Sequence, residues 1–409
     1  MTDQIAFGAS NNLFLINADG SNLHQLTFEK NAPYFSWSPD GRLIAFCSKD
    51  YRDGQRIHEL CVINVDGSNL RRLINAPSDL GWSWSPDSRQ IACTCFLDEA
   101  NIRDRRGHLS LIDLEQGSVR QLTQEVAYAL WSPTTGELAR VWSHDDHYVF
   151  LMDAQGDNRQ LFLQSRYPLS GVSWSPDLQH VVAGSWRRRH WGVGIVEDGG
   201  TLILLQADGK KITEWDHESS NWVWSPDSQR LALFASSLVS PSEPPDDTHP
   251  ELFVQGADGL PYALDLREKK EELFVLGMDG TPPRRLAETV FDANEIGMAW
   301  SPNSQQIAFV AEQPDHPHQR ALAVAAIDSQ NLRLFPMVNT DTVGKLHPHA
   351  PTWSPDSQQI VYNTPGLEHL YAIHADGTNP RCITEQALSN LIGEDDSHPI
   401  LFYPAWQAQ

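Results

Sequence analysis

The tetrapeptide Trp-Ser-Pro-Asp and its near copies recur along the chain, and this repeat constrains the fold more than any other feature. Successive repeat tryptophans are 47, 47, 43, 50, 76, 53 and 53 residues apart. A period near 50 with strand-like content is typical of the blades of a β-propeller and is too long for most helical repeats. The repeat tryptophans are Trp37, Trp84, Trp131, Trp174, Trp224, Trp300 and Trp353, with a degenerate eighth copy at Trp406.

The first complete copy of the repeat shows the order of elements that we expect in one blade. Pro and Asp in the motif favour a tight turn after the first strand, and an Asp-Gly pair later in the period predicts a two-residue hairpin. The four predicted strands and their connections are strand A (Pro33–Ser38), strand B (Leu43–Cys47), a loop (Ser48–Glu59), strand C (Leu60–Val65), the turn Asp66-Gly67, and strand D from Arg72.

The two ends of the chain complete each other. The chain begins at Gln4 with strands of type B, C and D, and it ends with a type A strand at Phe402–Trp406. Pairing these strands would close the ring and remove the exposed sheet edges of an open array. The sequence therefore predicts an all-β fold: one closed β-propeller domain over residues 1–409, with eight four-stranded blades, or seven as the alternative.

Two blades depart from the regular period. The sixth contains an insertion at residues 238–271, in which Glu251-Leu-Phe-Val is nearly repeated from Glu272. We interpret it as a duplicated C-strand hairpin that projects from the sixth blade or adds to its edge. The fifth blade carries extra residues from Trp186 to Gly200, in which Gly192–Val196 predicts a further strand.

Charge restricts the class of partner. The chain has 30 Lys plus Arg and 53 Asp plus Glu, a formal charge of -23, which repels nucleic-acid phosphates at long range. A neutral or basic protein surface is the expected partner. The sequence has no basic segment followed by an apolar leader and no run of 18 apolar residues, so we predict a monomeric cytoplasmic protein without a membrane span.

The five cysteines are expected to be buried free thiols, because four of them lie in apolar, strand-like surroundings. Cys93 and Cys95 are two residues apart and would face the same side of a strand. No second pair with zinc-like spacing completes a set of four ligands. The repeat tryptophans are likewise interpreted as packing residues between blades.

The segment Trp37–Phe46, followed by an apolar strand and Asp-Gly, resembles the WD40-like (PD40) propeller repeat of the TolB family and of prolyl-oligopeptidase-type peptidases. The resemblance covers essentially the whole chain and implies a propeller fold. For TolB it also implies a periplasmic, six-bladed protein with a separate N-terminal domain. For the peptidases it implies an α/β-hydrolase domain with a serine nucleophile. The chain shows no export signal and no Gly-x-Ser-x-Gly, so neither activity is carried over.

Strand direction predicts where a site lies. Because neighbouring strands are antiparallel, the A–B and C–D turns share one face, and the B–C and D–A connections share the other. We call the face that carries the B–C and D–A connections the loop-rich face. Long connections on a rigid scaffold commonly carry function. Arginine would pair there with neighbouring carboxylates, or hold an anionic ligand. The candidate partner-binding residues are Arg105, Arg106, Trp186, Arg187, Arg188, Arg189, His190 and Trp191.

Two functions fit these features. The preferred interpretation is a non-enzymatic propeller, without a cofactor, that binds a protein or peptide through the loop-rich face. The alternative is a metal-dependent lyase or hydrolase that resembles oligogalacturonate lyases in using a His-rich site. In that case three imidazoles and a carboxylate would bind a divalent metal. Those candidate ligands are His347, His349, His398 and Asp395.

Overall fold

The computed structural model describes most of the chain in a series of segments. They are residues 4–28, 34–52, 55–77, 80–96, 107–126, 128–131, 138–142, 148–152, 160–164, 169–177, 179–191, 194–217, 219–236, 252–255, 261–264, 270–290, 297–313, 316–329, 331–337, 350–364, 369–385 and 401–407.

The described elements form a β-propeller. Among the described residues, the strands make eight four-stranded antiparallel sheets, or blades, and one separate two-stranded sheet. The first blade contains β1 (Gln4–Ala9), β2 (Asn12–Asn17), β3 (His24–Gln25) and β34 (Leu401–Trp406), and the second contains β4 (Tyr34–Trp37), β5 (Leu43–Arg52), β6 (Gln55–Asn64) and β7 (Arg71–Ala76). The third contains β8 (Leu80–Trp84), β9 (Gln90–Phe96), β10 (Gly107–Asp113) and β11 (Ser118–Val126). The fourth contains β12 (Tyr128–Trp131), β13 (Leu138–Trp142), β14 (Tyr148–Met152) and β15 (Gln160–Gln164).

The remaining four blades follow the same order of strands. The fifth contains β16 (Leu169–Trp174), β17 (His180–Trp191), β18 (Gly194–Gln206) and β19 (Lys211–His217), and the sixth contains β20 (Ser219–Trp224), β21 (Arg230–Ser236), β24 (Lys270–Gly277) and β25 (Arg284–Val290). The seventh contains β26 (Met298–Trp300), β27 (Gln306–Gln313), β28 (His316–Ala326) and β29 (Leu332–Pro336). The eighth contains β30 (Thr352–Trp353), β31 (Gln359–Asn363), β32 (Leu370–His374) and β33 (Arg381–Cys382). The two-stranded sheet is β22 (Leu252–Gln255) with β23 (Pro261–Leu264).

The two ends of the chain share the first blade. Strand β34 pairs with β1, with Trp406 opposite Ile5 and Ala405 opposite Ala6. The predicted pairing of the C-terminal strand with the N-terminal strands is therefore present. The described part of the chain has no helix with the length and apolar character that crossing a membrane requires.

Hydrophobic clusters lie between neighbouring blades. Ala6 and Leu13 of the first blade pack in one cluster with Ile44 and Phe46 of the second. In a larger cluster, Phe234 of the sixth blade contacts Phe309 of the seventh, with ring centroids 5.8 Å apart. Burial of these apolar faces holds each blade against the next.

Six of the eight repeat tryptophans also form a hydrogen bond across a blade junction. In each case the indole Nε1 donates to the residue immediately before the repeat tryptophan of the preceding blade. The donors and acceptors are Trp37 with Ala405 O (3.1 Å), Trp84 with Ser36 Oγ (3.0 Å), Trp224 with Ser173 Oγ (3.0 Å), Trp300 with Val223 O (3.0 Å), Trp353 with Ala299 O (3.0 Å) and Trp406 with Thr352 O (3.2 Å).

The A–B turns form a second set of bonds between blades. In the second blade, Gly41 takes a left-handed conformation with φ 66°. Serines occupy this position in four other blades, with φ between 60° and 63°, where a side chain is disfavoured. Each serine hydroxyl accepts the backbone N–H of the preceding blade's turn. The pairs are Asp40 N with Ser88 (3.0 Å), Asp177 N with Ser228 (2.8 Å), Asp227 N with Ser304 (2.9 Å) and Asn303 N with Ser357 (3.0 Å).

The C–D turns are longer than predicted. Asn17 N donates to Ser21 O, and Gly20 N donates to Asn17 O, so that three residues rather than two separate the paired positions. Gly20 has φ 87°, which a type I turn with a following left-handed residue requires. The prediction of a two-residue hairpin at Asp-Gly is therefore wrong, because the glycine follows the two central residues of the turn and is not one of them.

Three predicted segments have different bounds. Most of the loop expected at Ser48–Glu59 belongs to the paired strands β5 and β6. The further strand expected at Gly192–Val196 is not separate, since β18 begins at Gly194 and continues to Gln206. Within the 238–271 insertion, β22 pairs with β23 as a sheet of its own, and β23 lies close to β18 of the fifth blade.

Candidate functional site

Among the described residues, hairpins in three blades extend beyond the four-stranded part on the loop-rich face; the shortest is in the seventh blade, where β27 and β28 continue to the pair Gln313 and His316. In the second blade, strand A pairs as far as Cys47 and strand D as far as His58. Strands β5 and β6 continue together to the pair Arg52 and Gln55. A two-stranded antiparallel ribbon results, which we call the blade-2 ribbon (residues 50–52 and 55–57).

The fifth blade has a longer extension of the same kind. Its strand A pairs as far as Ser185 and its strand D as far as Gly200. Strands β17 and β18 then continue to the pair Trp191 and Gly194. This is the blade-5 ribbon (residues 186–191 and 194–199). A register shift between Trp186 and Arg188 interrupts the pairing at its base.

The blade-5 ribbon contains six of the candidate partner-binding residues. Trp186, Arg187, Arg188, Arg189, His190 and Trp191 are consecutive in β17. The register places Glu197 opposite Arg188 and Val196 opposite Arg189. The structure thus places the arginine run on a paired strand, whereas the sequence had suggested extra residues with a separate strand.

The other predicted site residues lie outside the described residues. They are Arg105, Arg106, His347, His349, Asp395 and His398. Within the segments that the structure describes, no three or more His, Cys, Asp or Glu side chains are grouped so that they could hold a metal ion. The proposed metal site and the Arg105–Arg106 site therefore stay predictions.

Two exposed aromatic side chains lie on the loop-rich face at the junction of the first and second blades. Phe28 follows strand D of the first blade and is 68% exposed, and Tyr34 begins strand A of the second and is 50% exposed. Lys49 Nζ lies 6.0 Å from the centroid of the Tyr34 ring, at the outer limit of a cation–π contact. Neither aromatic residue is among the candidate site residues named from the sequence.

Buried polar groups support the base of the blade-2 ribbon. Glu59 is 3% exposed, and its Oε2 lies 3.5 Å from Arg72 Nε across the C–D pair. His58, 1% exposed, has its Nδ1 3.9 Å from Cys47 Sγ. From the sequence alone, both residues are expected in the loop Ser48–Glu59. The dipeptide Asp53-Gly54 was the available signal for a hairpin at this point.

Two tryptophans outside the repeat position have structural roles. Trp82 Nε1 donates to Ser36 Oγ (2.8 Å), and Trp222 Nε1 donates to Ser173 Oγ (3.1 Å). Each therefore shares its acceptor with the repeat tryptophan two residues later. These two side chains join blades, and neither is a candidate for ligand binding.

On the opposite face, the described turns are short, and their carboxylates accept hydrogen bonds from nearby backbone N–H and hydroxyl groups. Asp376 Oδ1 accepts from the Thr378 hydroxyl (2.7 Å) and from Thr378 N (2.9 Å). These two bonds lower the pKa of Asp376. The corresponding bonds to Ser21 lower the pKa of Asp19 in the same way. Such carboxylates stabilise turns and are not acid–base groups of a site.

Comparisons with known proteins agree on the fold. No protein-family model matches the chain, and no curated protein matches it in sequence. The Dos1 propeller is similar at 13% identity over 89% of this chain and 90% of its own, with a TM-score of 0.56. A eukaryotic initiation factor is similar at 10% identity over 100% and 99%, with a TM-score of 0.52.

An oligogalacturonate lyase in complex with manganese is similar at 15% identity over 77% of this chain and 82% of its own, with a TM-score of 0.50. At such identities similarity shows the fold and not the activity. The chain is therefore a β-propeller whose structural neighbours include an oligogalacturonate lyase as well as propellers that are not described as enzymes.

Proposed function

We propose that this propeller is a non-enzymatic protein that binds a protein or peptide through its loop-rich face. The observation that carries the proposal is the pair of ribbons in the second and fifth blades, which project from one face beyond their four-stranded sheets. A rigid ring with variable projecting hairpins is the usual arrangement of a binding scaffold. The exposed Phe28 and Tyr34 add apolar contact area on the same face.

The arginine run would contact carboxylates of the partner. The chain as a whole has a formal charge of -23, but the Debye length is about 8 Å at physiological salt. Salt therefore screens the charges of distant acidic residues, and the charges within the ribbon determine the electrostatic attraction to a partner. Arg187, Arg188 and Arg189 would then form paired hydrogen bonds with partner carboxylates, for which guanidinium groups are well shaped.

A pull-down with the full chain tests the proposal. We expect a partner captured by the parent protein to be lost when Arg187, Arg188 and Arg189 are replaced by Ala. The matched control replaces Lys210 and Lys211 by Ala, two basic residues of the same blade at its C–D turn on the opposite face. Binding that survives the arginine changes, or that both variants lose equally, would contradict a site on the ribbon.

Metal analysis separates the scaffold from the metal-dependent enzyme. A purified chain that carries stoichiometric manganese, iron or zinc, lost on His347→Ala with His349→Ala, would overturn the scaffold proposal. A metal-free chain that captures its partner supports it. This measurement examines side chains that the pull-down variants leave unchanged, so the two experiments fail independently.

A further inference from the structure

Strand β17 has an open edge along the blade-5 ribbon. Strand β16 pairs with β17 only as far as Ser185, whereas β18 stays paired with β17 as far as the pair Trp191 and Gly194. Among the strands that the structure describes, no other one pairs with β17. Residues 186–191 therefore have a strand neighbour on one side only. Six residues is a usual strand length, so this edge is long enough to hold one further strand.

The other edge of the same ribbon is irregular. Between the pair Trp186 with Gly200 and the pair Arg188 with Glu197, β17 advances by two residues and β18 by three. The extra residue is therefore in β18. A bulge of this kind bends the strand that contains it and protects its edge against pairing. From Arg188 to Trp191 the register is continuous, so β17 provides the regular edge of the ribbon.

The charges on this edge select the strand that it can accept. Arg187, Arg188 and Arg189 are consecutive in β17. Because residues alternate between the two faces of a strand, Arg187 and Arg189 share one face of the ribbon. Arg188 belongs to the other face, where Glu197 is the residue opposite it in the register. A strand beside β17 would meet two positive charges about 7 Å apart on one face.

Carboxylates at alternate positions of an extended segment have the same spacing as Arg187 and Arg189. Such a segment is attracted, whereas a second copy of this arginine-bearing edge is repelled. We infer that the blade-5 ribbon binds its partner by strand addition, in which an extended acidic segment of the partner pairs with the open edge of β17. In this mode main-chain hydrogen bonds supply affinity and alternate side chains supply specificity. This inference rests on the proposed function and adds the chemistry of the bound segment.

The corresponding edge of the blade-2 ribbon is less suitable for an acidic strand. Strand β4 pairs with β5 as far as Cys47, so residues 48–52 also have a strand neighbour on one side only. Ser48 is 2% exposed, and Asp50 places a negative charge in the middle of this edge. The blade-2 ribbon is therefore a control within the same molecule.

Three synthetic peptides test strand addition with the full chain. One is an alternating Glu-Val octapeptide, and the other two carry N-methyl groups either on all Glu nitrogens or on all Val nitrogens. Successive N–H groups of a strand point to opposite edges, so only one methylated peptide loses the donors that would face β17. We expect calorimetry to show that the parent peptide binds and that one methylated peptide binds about tenfold more weakly.

The methylated peptides also separate strand addition from simple charge attraction. Equal binding of all three peptides would overturn strand addition and leave the arginine contacts of the proposed function standing. Equal weakening of both methylated peptides, or no binding of the parent peptide, would overturn it as well. A native partner that the triple arginine variant loses, together with a Glu-Val peptide that does not bind, would refute strand addition alone.

Charge reversal tests the two arginine positions. Arg187→Glu with Arg189→Glu should abolish binding of the Glu-Val peptide and create binding of the matching Lys-Val peptide, since the edge then carries two carboxylates at the same spacing. Lys210→Ala with Lys211→Ala, on the opposite face, should bind the Glu-Val peptide as the parent protein does. A reversed chain that binds the Lys-Val peptide no better than the parent protein would overturn the assignment.

Hydrogen exchange with mass spectrometry locates the bound peptide. Saturating Glu-Val peptide should slow amide exchange in residues 186–191, because an added strand protects the amides of the edge that it covers. Residues 50–52 of the blade-2 ribbon should exchange as they do without peptide. Unchanged exchange in residues 186–191, or equal protection of both ribbons, would overturn the inference.

Discussion

The indole Nε1 of Trp37 donates a hydrogen bond of 3.1 Å to the carbonyl oxygen of Ala405, although the two residues are 368 positions apart. Ala405 lies in β34, which pairs with β1. The next residue, Trp406, donates to Thr352 O of the eighth blade at 3.2 Å. The last strand thus completes the first blade and also bonds to the blades on both sides of it.

Removal of residues 401–409 should therefore destabilise the protein and promote aggregation. The deletion eliminates β34, leaves the backbone groups of β1 unpaired along one edge, and removes the acceptor of Trp37. Unpaired edge strands associate with other chains. Thermal unfolding and size-exclusion chromatography would measure the effect. The control deletion of residues 408–409 leaves β34 intact, and a truncated 1–400 chain as stable and monomeric as this control would contradict the prediction.

Substitutions at Ser228 should separate the hydroxyl bond from backbone strain. Ser228 is 1% exposed, has φ 63° and accepts Asp177 N at 2.8 Å. Ser228→Ala loses the bond and keeps the strain, so we expect a loss of about 0.5–1.5 kcal/mol in the free energy of unfolding. Ser228→Gly also loses the bond but relieves a left-handed strain of roughly 1–2 kcal/mol, which offsets the loss.

Chemical denaturation of the two Ser228 variants and the parent gives the ranking. We expect the glycine variant to lie close to the parent and the alanine variant below both. The second blade supplies a natural precedent, since Gly41 occupies the equivalent position. An alanine variant more stable than the glycine variant would show that strain at this turn has been overestimated.

Asp87 should contribute stability that depends on pH. Its Oδ1 accepts from the Ser85 hydroxyl at 2.6 Å, and this bond lowers the pKa of Asp87 below 3.8. A carboxyl whose pKa is lower in the folded chain stabilises the fold above its ordinary pKa. That contribution is lost as the pH falls through the folded value. The stabilisation should therefore be fully present at neutral pH and disappear below pH 3.8.

The variant Asp87→Asn tests this assignment, because Asn303 makes the same turn in the seventh blade, where Ser301 donates to its Oδ1 at 2.7 Å. We expect the variant to melt at a slightly lower temperature than the parent near neutral pH. The difference should shrink as the pH falls below 3.8. A difference that grows on acidification would have the wrong sign for a lowered pKa.

Alkylation should distinguish the partly exposed thiol of Cys382 from the four buried thiols. Cys47, Cys61, Cys93 and Cys95 are buried and Cys382 is partly exposed. The neighbouring Cys95 sulfur, 3.9 Å away, and burial both raise the pKa of Cys93. The thiolate is the reactive form, so Cys93 should be inert in the folded chain. Mass spectrometry after alkylation should show at most one label, on Cys382, in native conditions and five after unfolding.

The spacing of the tryptophans and the turn residues determined the class of fold, the order of strands in a blade and the pairing of β34 with β1. These features follow from local patterns, since Pro, Asp and Gly favour turns wherever they occur and apolar runs favour strands. The burial of four of the five cysteines followed from the same local patterns.

The tertiary structure alone decided how far each hairpin extends and which groups join the blades. The ribbons end where strands A and D stop pairing, which depends on residues distant in sequence. Each indole finds its acceptor in a neighbouring blade, and a hydrogen bond requires the two atoms to lie within a few tenths of an ångström of the right distance. The indole N–H groups of Trp131 and Trp174, which occupy the same repeat position as Trp37, are buried without a hydrogen-bond partner, a difference that the repeat position by itself does not predict.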